Sequence, residues 1–163
     1  MHKSLSTCSL AMFTAAATLG LLSGPASAEA QTRAGGGLLF TASEGQSSTG
    51  IYGEAAGDVS EAMAVVGRGS FSLESSGSYQ VGGGARFHTS DEQVQPYAQF
   101  LIGFTRFSGG GSGTTFFPGG GVFYQATERA AIQMVVEYEI VRAGGMNANG
   151  FGILGGISYA IGN

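Results

Sequence analysis

Residues 79–107 read YQVGGGARFHTS, then DEQ, then VQPYAQFLIGFTRF. Two alternating runs flank a short acidic turn. In the first run, Tyr79, Val81, Ala85 and Phe87 share one face, and Gln80, Gly82, Gly84, Arg86 and His88 share the other. In the second, Phe100, Ile102 and Phe104 oppose Tyr97, Gln99, Gly103 and Thr105. A period of two marks a strand lying between two different surroundings. The unusual point is what each face carries. One is large and apolar. The other is glycine, glutamine and arginine, too small and too polar to pack a soluble core. That inversion suits a barrel that is apolar outside and polar inside.

The rest of the chain repeats the pattern. Gly36–Ser43 is a candidate first strand with Leu38 and Phe40 outward, after a short polar lead over residues 29–34. Thr49–Gly57 sets Tyr52, Glu54 and Ala56 against Ile51, and Asp58, Val59 and Ser60 are suited to a tight turn. Glu61–Leu73 sets Met63, Val65, Phe71 and Leu73 against Ala64, Val66, Arg68, Ser70 and Ser72. Ser108–Gly113 reads as a loop. Thr114–Ala126 is the sixth strand, with Val122 and Tyr124 out and Phe123 and Gln125 in. Its run Gly119-Gly120-Gly121 marks a bend or close side-chain packing inside. Ala130–Arg142 is the clearest alternation: Ile132, Met134, Val136, Tyr138 and Ile140 oppose Gln133, Glu137 and Glu139. Gly144–Asn149 reads as a loop, and Phe151–Ile161 as the last strand.

With the central hairpin, these make eight strands, an even number as in single-chain bacterial barrels. The fold expected is all-β: an eight-stranded antiparallel up-and-down transmembrane β-barrel behind a cleaved signal peptide. The turns after strands two, four and six are short and hydrophilic, as periplasmic turns are.

Residues 1–28 carry the marks of that signal. Lys3 is a short basic n-region, Leu10–Leu22 an apolar h-region, and Ala26-Ser27-Ala28 a small-residue cleavage site. The barrel domain is then 29–163. Cys8, the single cysteine, falls in the signal. The exported part therefore uses no disulfide, although its compartment would permit one. Closure of a strand ladder is a sufficient source of stability.

Charged residues make up 11% of the chain and the formal net charge is −4. Beyond Lys3 every basic side chain is arginine, and no basic patch for nucleic acid exists. The 30 glycines sit within runs of Phe, Tyr, Ile and Val, unlike the composition of disordered chains. None of the glycine triplets is followed by Gly-Lys-Ser/Thr, so none is a P-loop. His2 and His88 are the only histidines, and no metal-ligand set or cofactor is indicated.

The runs GGGARFHTSDEQVQPYAQFLIGFTR, PGGGVFYQATERAAIQMVVEYEIVR and FGILGGISYAIG resemble small outer-membrane barrels of the OmpA transmembrane-domain type. The resemblance covers roughly residues 35–162. It implies location in the cell outer membrane, contact with outer-membrane lipid, and insertion by the barrel-assembly machinery. The chain departs from that family in ending Ala160-Ile161-Gly162-Asn163 rather than on a terminal aromatic. No peptidoglycan-binding domain follows the barrel, so that tethering role is not implied.

The candidate functional residues are polar side chains on the inward face. Glu54, Arg68, Arg86, Glu137 and Glu139 should pair with one another and with Gln80, Gln99 and Gln133, because an isolated charge in a narrow interior is costly. Such a network is either a gate that opens by re-pairing or a structural core that fills the lumen. Eight strands leave little room for flow, which favours filling.

His88-Thr89-Ser90 resembles the His-x-Ser pair of outer-membrane lipid A deacylases. However, Asp91 stands where that family has asparagine, and strand five supplies no glutamate at a like distance. Tyr79, Phe87, Phe107, Phe116, Tyr138, Phe151 and Tyr159 fall near strand ends, where membrane barrels carry aromatic girdles.

The function expected is a non-enzymatic outer-membrane barrel, structural or surface-interacting, with a filled polar lumen and a monomeric state. The alternatives are a secreted lipocalin-like carrier of a small ligand and a lipid A deacylase-like hydrolase.

Overall fold

The computed structural model describes residues 31–43, 45–74, 77–89, 93–144 and 146–161. The expected signal peptide, residues 1–28, lies outside them, as do Ser90 and Asp91. Eight strands follow in chain order: β1 (Thr32–Ser43), β2 (Gln46–Ser60), β3 (Met63–Ser72), β4 (Ser78–His88), β5 (Val94–Phe107), β6 (Ser112–Gln125), β7 (Ala130–Ala143) and β8 (Met146–Ile161). Each pairs antiparallel with its neighbours, and β1 pairs with β8 to close the barrel. Closure leaves no unpaired edge, which meets the backbone's need for hydrogen bonds where no water is available.

Alternation follows the expected sense. Leu38, Ile51, Phe87, Phe100, Met134, Val136, Phe151 and Ile157 are all exposed on the outer surface. Arg86 is 2% exposed and Glu137 2%, both inside. Large apolar groups thus face outward while charged groups are buried. Of the expected girdle aromatics, Tyr79, Phe87, Phe107, Phe151 and Tyr159 are exposed; Phe116 and Tyr138 are half-buried against neighbours on the same outer face. Tyr138 meets Phe151 edge-on at 5.0 Å between ring centroids.

The strands run longer than the local patterns indicated. β1 begins at Thr32, within the expected polar lead, because Thr32–Ala42 pair with β8 from the far end of the chain. Asp58, Val59 and Ser60 belong to β2, and the turn falls at Glu61 and Ala62, with a register shift between Asp58 and Ser60. The expected loop over 144–149 shrinks as well: Asn147, Ala148 and Asn149 pair with Arg142, Val141 and Ile140. Polar residues at strand ends look like loop in sequence. The ladder keeps them extended because each satisfies backbone groups of its partner.

The turn between β5 and β6 rests on Gly110 and Gly111, whose φ of 89° and 104° favours glycine. In β6 the ladder to β7 skips Phe117 and Pro118, where proline supplies no amide hydrogen. An even strand number brings both ends of the described barrel to one mouth, beside the β2–β3, β4–β5 and β6–β7 connections. The other mouth is framed by four connections, β1–β2, β3–β4, β5–β6 and β7–β8.

Candidate functional site

The lumen is the site that the fold builds. Inward side chains come from every strand, because position parity along each one selects the face. Glu54 lies on β2, Arg68 on β3, Arg86 on β4, Gln99 on β5, and Gln133, Glu137 and Glu139 on β7.

Two ion pairs cross the lumen. Arg68 Nη2 donates to Oε1 and Oε2 of Glu137 at 2.9 and 2.7 Å. Arg86 Nη2 donates to Glu54 Oε1 at 2.6 Å and to Gln99 Oε1 at 2.9 Å. The amides join the two pairs into one network. Gln99 Nε2 reaches Glu137 Oε2 at 3.4 Å, and Gln133 Nε2 donates to Glu54 Oε1 at 3.2 Å and to Tyr97 Oη at 3.1 Å. Charge-assisted bonds of this kind are the strong ones, and the buried setting makes them stronger still.

Aromatic rings complete the plug. Tyr97 and Phe123 lie 4.8 Å apart between centroids. The Arg86 guanidinium sits 4.5 Å from the Tyr97 ring and 5.1 Å from Phe123. Arg68 sits 5.2 Å from Phe117. A guanidinium that stacks on a ring while ion-paired is held in place on two sides. Gly121 makes room for this packing: a Cβ added there would stand 2.7 Å from the Tyr97 hydroxyl. The run thus serves close packing at Gly119 and Gly121, against the β7 backbone as much as against the Glu137 and Tyr97 side chains, while Gly120 meets only backbone.

Glu139 stands apart. It is buried in the lumen, but its Oε1 meets no hydrogen-bond partner among the described residues. Gln80, an expected partner of the charges, lies beside the Glu139 carboxylate and also accepts from Ser70 Oγ at 3.1 Å. Apolar side chains fill part of the interior that the sequence reading left to polar groups. Leu101, Val135 and Leu154 are almost fully buried there; Leu101 packs in one cluster with Phe117, and Val135 and Leu154 in another with Tyr97 and Phe123. Strict parity carried through β5, β6, β7 and β8 would have placed Leu101, Phe117, Val135 and Leu154 inside.

At the three-connection mouth, His88 Nε2 lies 3.5 Å from Asp58 Oδ1. Its Nδ1 is 3.2 Å from the Thr89 carbonyl and 3.3 Å from Gln95 Nε2. Among the described residues, the neighbours of the two ring nitrogens are Asp58, Thr89 and Gln95. Ser90, the other half of the deacylase-like pair, is outside the described residues.

Two open volumes flank the plug. One of about 300 Å³ lies at the four-connection mouth, with Glu139 on its wall. The other, of about 30 Å³, lies near His88, Arg33 and Gln95 at the opposite mouth.

No family model matches this chain, and no curated protein matches it. Solved structures do. The N-terminal β-barrel domain of Pseudomonas aeruginosa OprF superposes with a TM-score of 0.61 at 10% identity, over 82% of this chain and 100% of that one. Neisserial surface protein A gives 0.59 at 15% identity, over 80% and 96%. A de novo designed transmembrane β-barrel gives 0.52 at 19% identity, over 80% and 95%. This chain thus has the eight-stranded closed barrel fold of small outer-membrane β-barrels.

Proposed function

We propose that this protein is a non-enzymatic barrel of the cell outer membrane, with a filled lumen and a structural or surface-interaction role in the envelope. The observation that carries the reading is the sidedness of the wall. Leu38, Phe100, Met134, Val136 and Ile153 are about half exposed or more on the outside, while Arg68, Arg86 and Glu137 are buried inside. In water that outer band would be a very large apolar patch. Against hydrocarbon it is the favourable surface, and the closed ladder satisfies the backbone within the bilayer.

The lumen network supports a structural role. Ion pairs, amides and rings occupy the middle of the barrel, where a conduit would need open space. The lipocalin-like alternative needs an apolar interior, and this interior carries five buried charged residues, Glu54, Arg68, Arg86, Glu137 and Glu139. Outer-membrane lipid is the partner that fits the outer band, with the barrel-assembly machinery acting during insertion. A monomer, with lipid around its whole outer face, fits this reading. The mouth holding both barrel ends faces the periplasm.

Membrane fractionation of the native cells, with gel mobility compared before and after boiling, tests this. The expected result is an outer-membrane protein whose folded form migrates differently from the boiled one. A processed polypeptide that stays in the aqueous fraction would refute the proposal.

A further inference from the structure

We propose that the cavity at the four-connection mouth is a binding site for a small hydroxylated ammonium compound of the amino-sugar class, anchored by Glu139. Around the four-connection mouth and the plug the buried charges do not balance; the further guanidinium, Arg33, is half-buried at the opposite mouth. The buried charged residues are three carboxylates, Glu54, Glu137 and Glu139, and two guanidiniums, Arg68 and Arg86. Arg68 is taken by Glu137 and Arg86 by Glu54. Glu139 makes no ion pair among the described residues: Arg68 acts on it only from beyond contact, Gln80 lies beside it, and its Oε1 is unpaired. A buried carboxylate without a counter-charge is costly, so a cation placed beside it gains strongly.

The cavity in front of Glu139 provides the place. Its volume of about 300 Å³ is at the lower end of the range for small-molecule sites. It opens to solvent, since Gln46, Ser47 and Glu74 on its rim are exposed. Among the described residues no arginine lines it; Arg106 and Arg142, at the same end, stand exposed and off its wall. Glu74 adds a second carboxylate at the rim. The site therefore attracts cations from the rim inward.

The walls select the kind of cation. Thr41, Ser48, Ser70 and Gln80 present hydroxyl and amide groups that can both donate and accept. A polyhydroxylated ligand uses both capacities, whereas a bare metal ion uses only acceptors and favours several carboxylates. Among the described residues no group of three or more His, Cys, Asp or Glu side chains could hold a metal. Leu39 and Val141 add apolar wall for the C–H face of a sugar ring. The site does not depend on what surrounds the barrel, so it stands apart from the outer-membrane reading.

Glucosamine and its uncharged twin N-acetylglucosamine test the assignment on the refolded full barrel in detergent micelles. Methyl resonances of Val141 and Ala148 report on the cavity, and Ala131, in the plug, is the reference. Glucosamine is expected to shift Val141 and Ala148 saturably and to leave Ala131 in place. N-acetylglucosamine should bind about tenfold more weakly or worse, since it lacks the charge-assisted bond. E139Q, with folded mobility confirmed, should lose affinity for glucosamine to the same extent. Should E139Q fail to fold, the two sugars on the native barrel decide alone. Equal binding of both sugars, shifts of equal size at Ala131, no saturable shift at all, or displacement of glucosamine by an equal concentration of Mg²⁺ would each overturn the proposal.

Discussion

Arg68 and Glu137 meet across the full width of the barrel. β3 and β7 stand on opposite sides of the closed order, yet Arg68 Nη2 lies 2.7 Å from Glu137 Oε2. The register neighbour of Arg68 is Glu54 on β2. Glu54 nevertheless gives its Oε1 to Arg86, two strands away on β4, at 2.6 Å. Both ion pairs pass over adjacent strands, so the lumen is braced across its diameter as well as around its wall.

That bracing makes Arg68→Leu costly. Removing one partner leaves Glu137 buried without its counter-charge, a loss of about 3–5 kcal/mol. The double variant Arg68→Leu, Glu137→Leu should recover much of that, because no lone charge remains. Denaturant unfolding of the two variants in micelles measures both values. Planar-bilayer recordings of the Arg68→Leu barrel should show no large steady conductance, since the rings and amides still fill the lumen.

Val136 lies near the middle of β7, facing outward and 56% exposed. Val136→Arg should destabilise the barrel by about 2–4 kcal/mol in lipid vesicles, the cost of a lipid-facing arginine near the bilayer midplane. A change within experimental error would mean that this face meets water. Photolabelling from lipid chains should likewise tag Val136 and spare Glu137.

Gly121 and Gly155 make a matched pair. The first faces the lumen, where a Cβ would press on the Met134 carbonyl of β7 and on the Tyr97 hydroxyl at 2.7 Å; the second faces outward with nothing within 4 Å. Gly121→Ala should cost about 1–3 kcal/mol through overpacking. Gly155→Ala should be neutral or slightly stabilising, because it removes only unfolded-state freedom. Unfolding midpoints of the two variants decide whether the glycines serve the lumen or simply dilute the wall.

Ser90→Ala should leave lipid A acylation unchanged, as should overexpression of the native protein. Mass spectrometry of extracted lipid A reads the acyl chains. Loss of a chain on overexpression, abolished by the substitution, would restore the hydrolase reading.

Much of this fold was readable from residue order, because a strand between lipid and lumen writes its two surroundings into alternate positions. Ile132 to Ile140 against Gln133, Glu137 and Glu139 is enough to orient β7. The ends were less readable. Asn147 and Asn149 look like loop until β7 is placed beside them, and Thr32 looks like a leader until β8 is. Leu101 and Leu154 are harder to read, because an apolar side chain on the inward face looks the same in sequence as one facing lipid. The lumen holds apolar side chains between its charges, which narrows the space each ion pair must cross.

Local alternation by itself determined that eight strands form, which side of each faces out, and that Arg68, Arg86, Glu54 and Glu137 share one interior. Only the closed barrel decided who pairs with whom. Partner choice depends on distances across the lumen, and those exist only once β1 and β8 have joined. The same closure left Glu139 without an ion pair among the described residues and set an open cavity in front of it, a consequence of counting charges in three dimensions rather than along the chain.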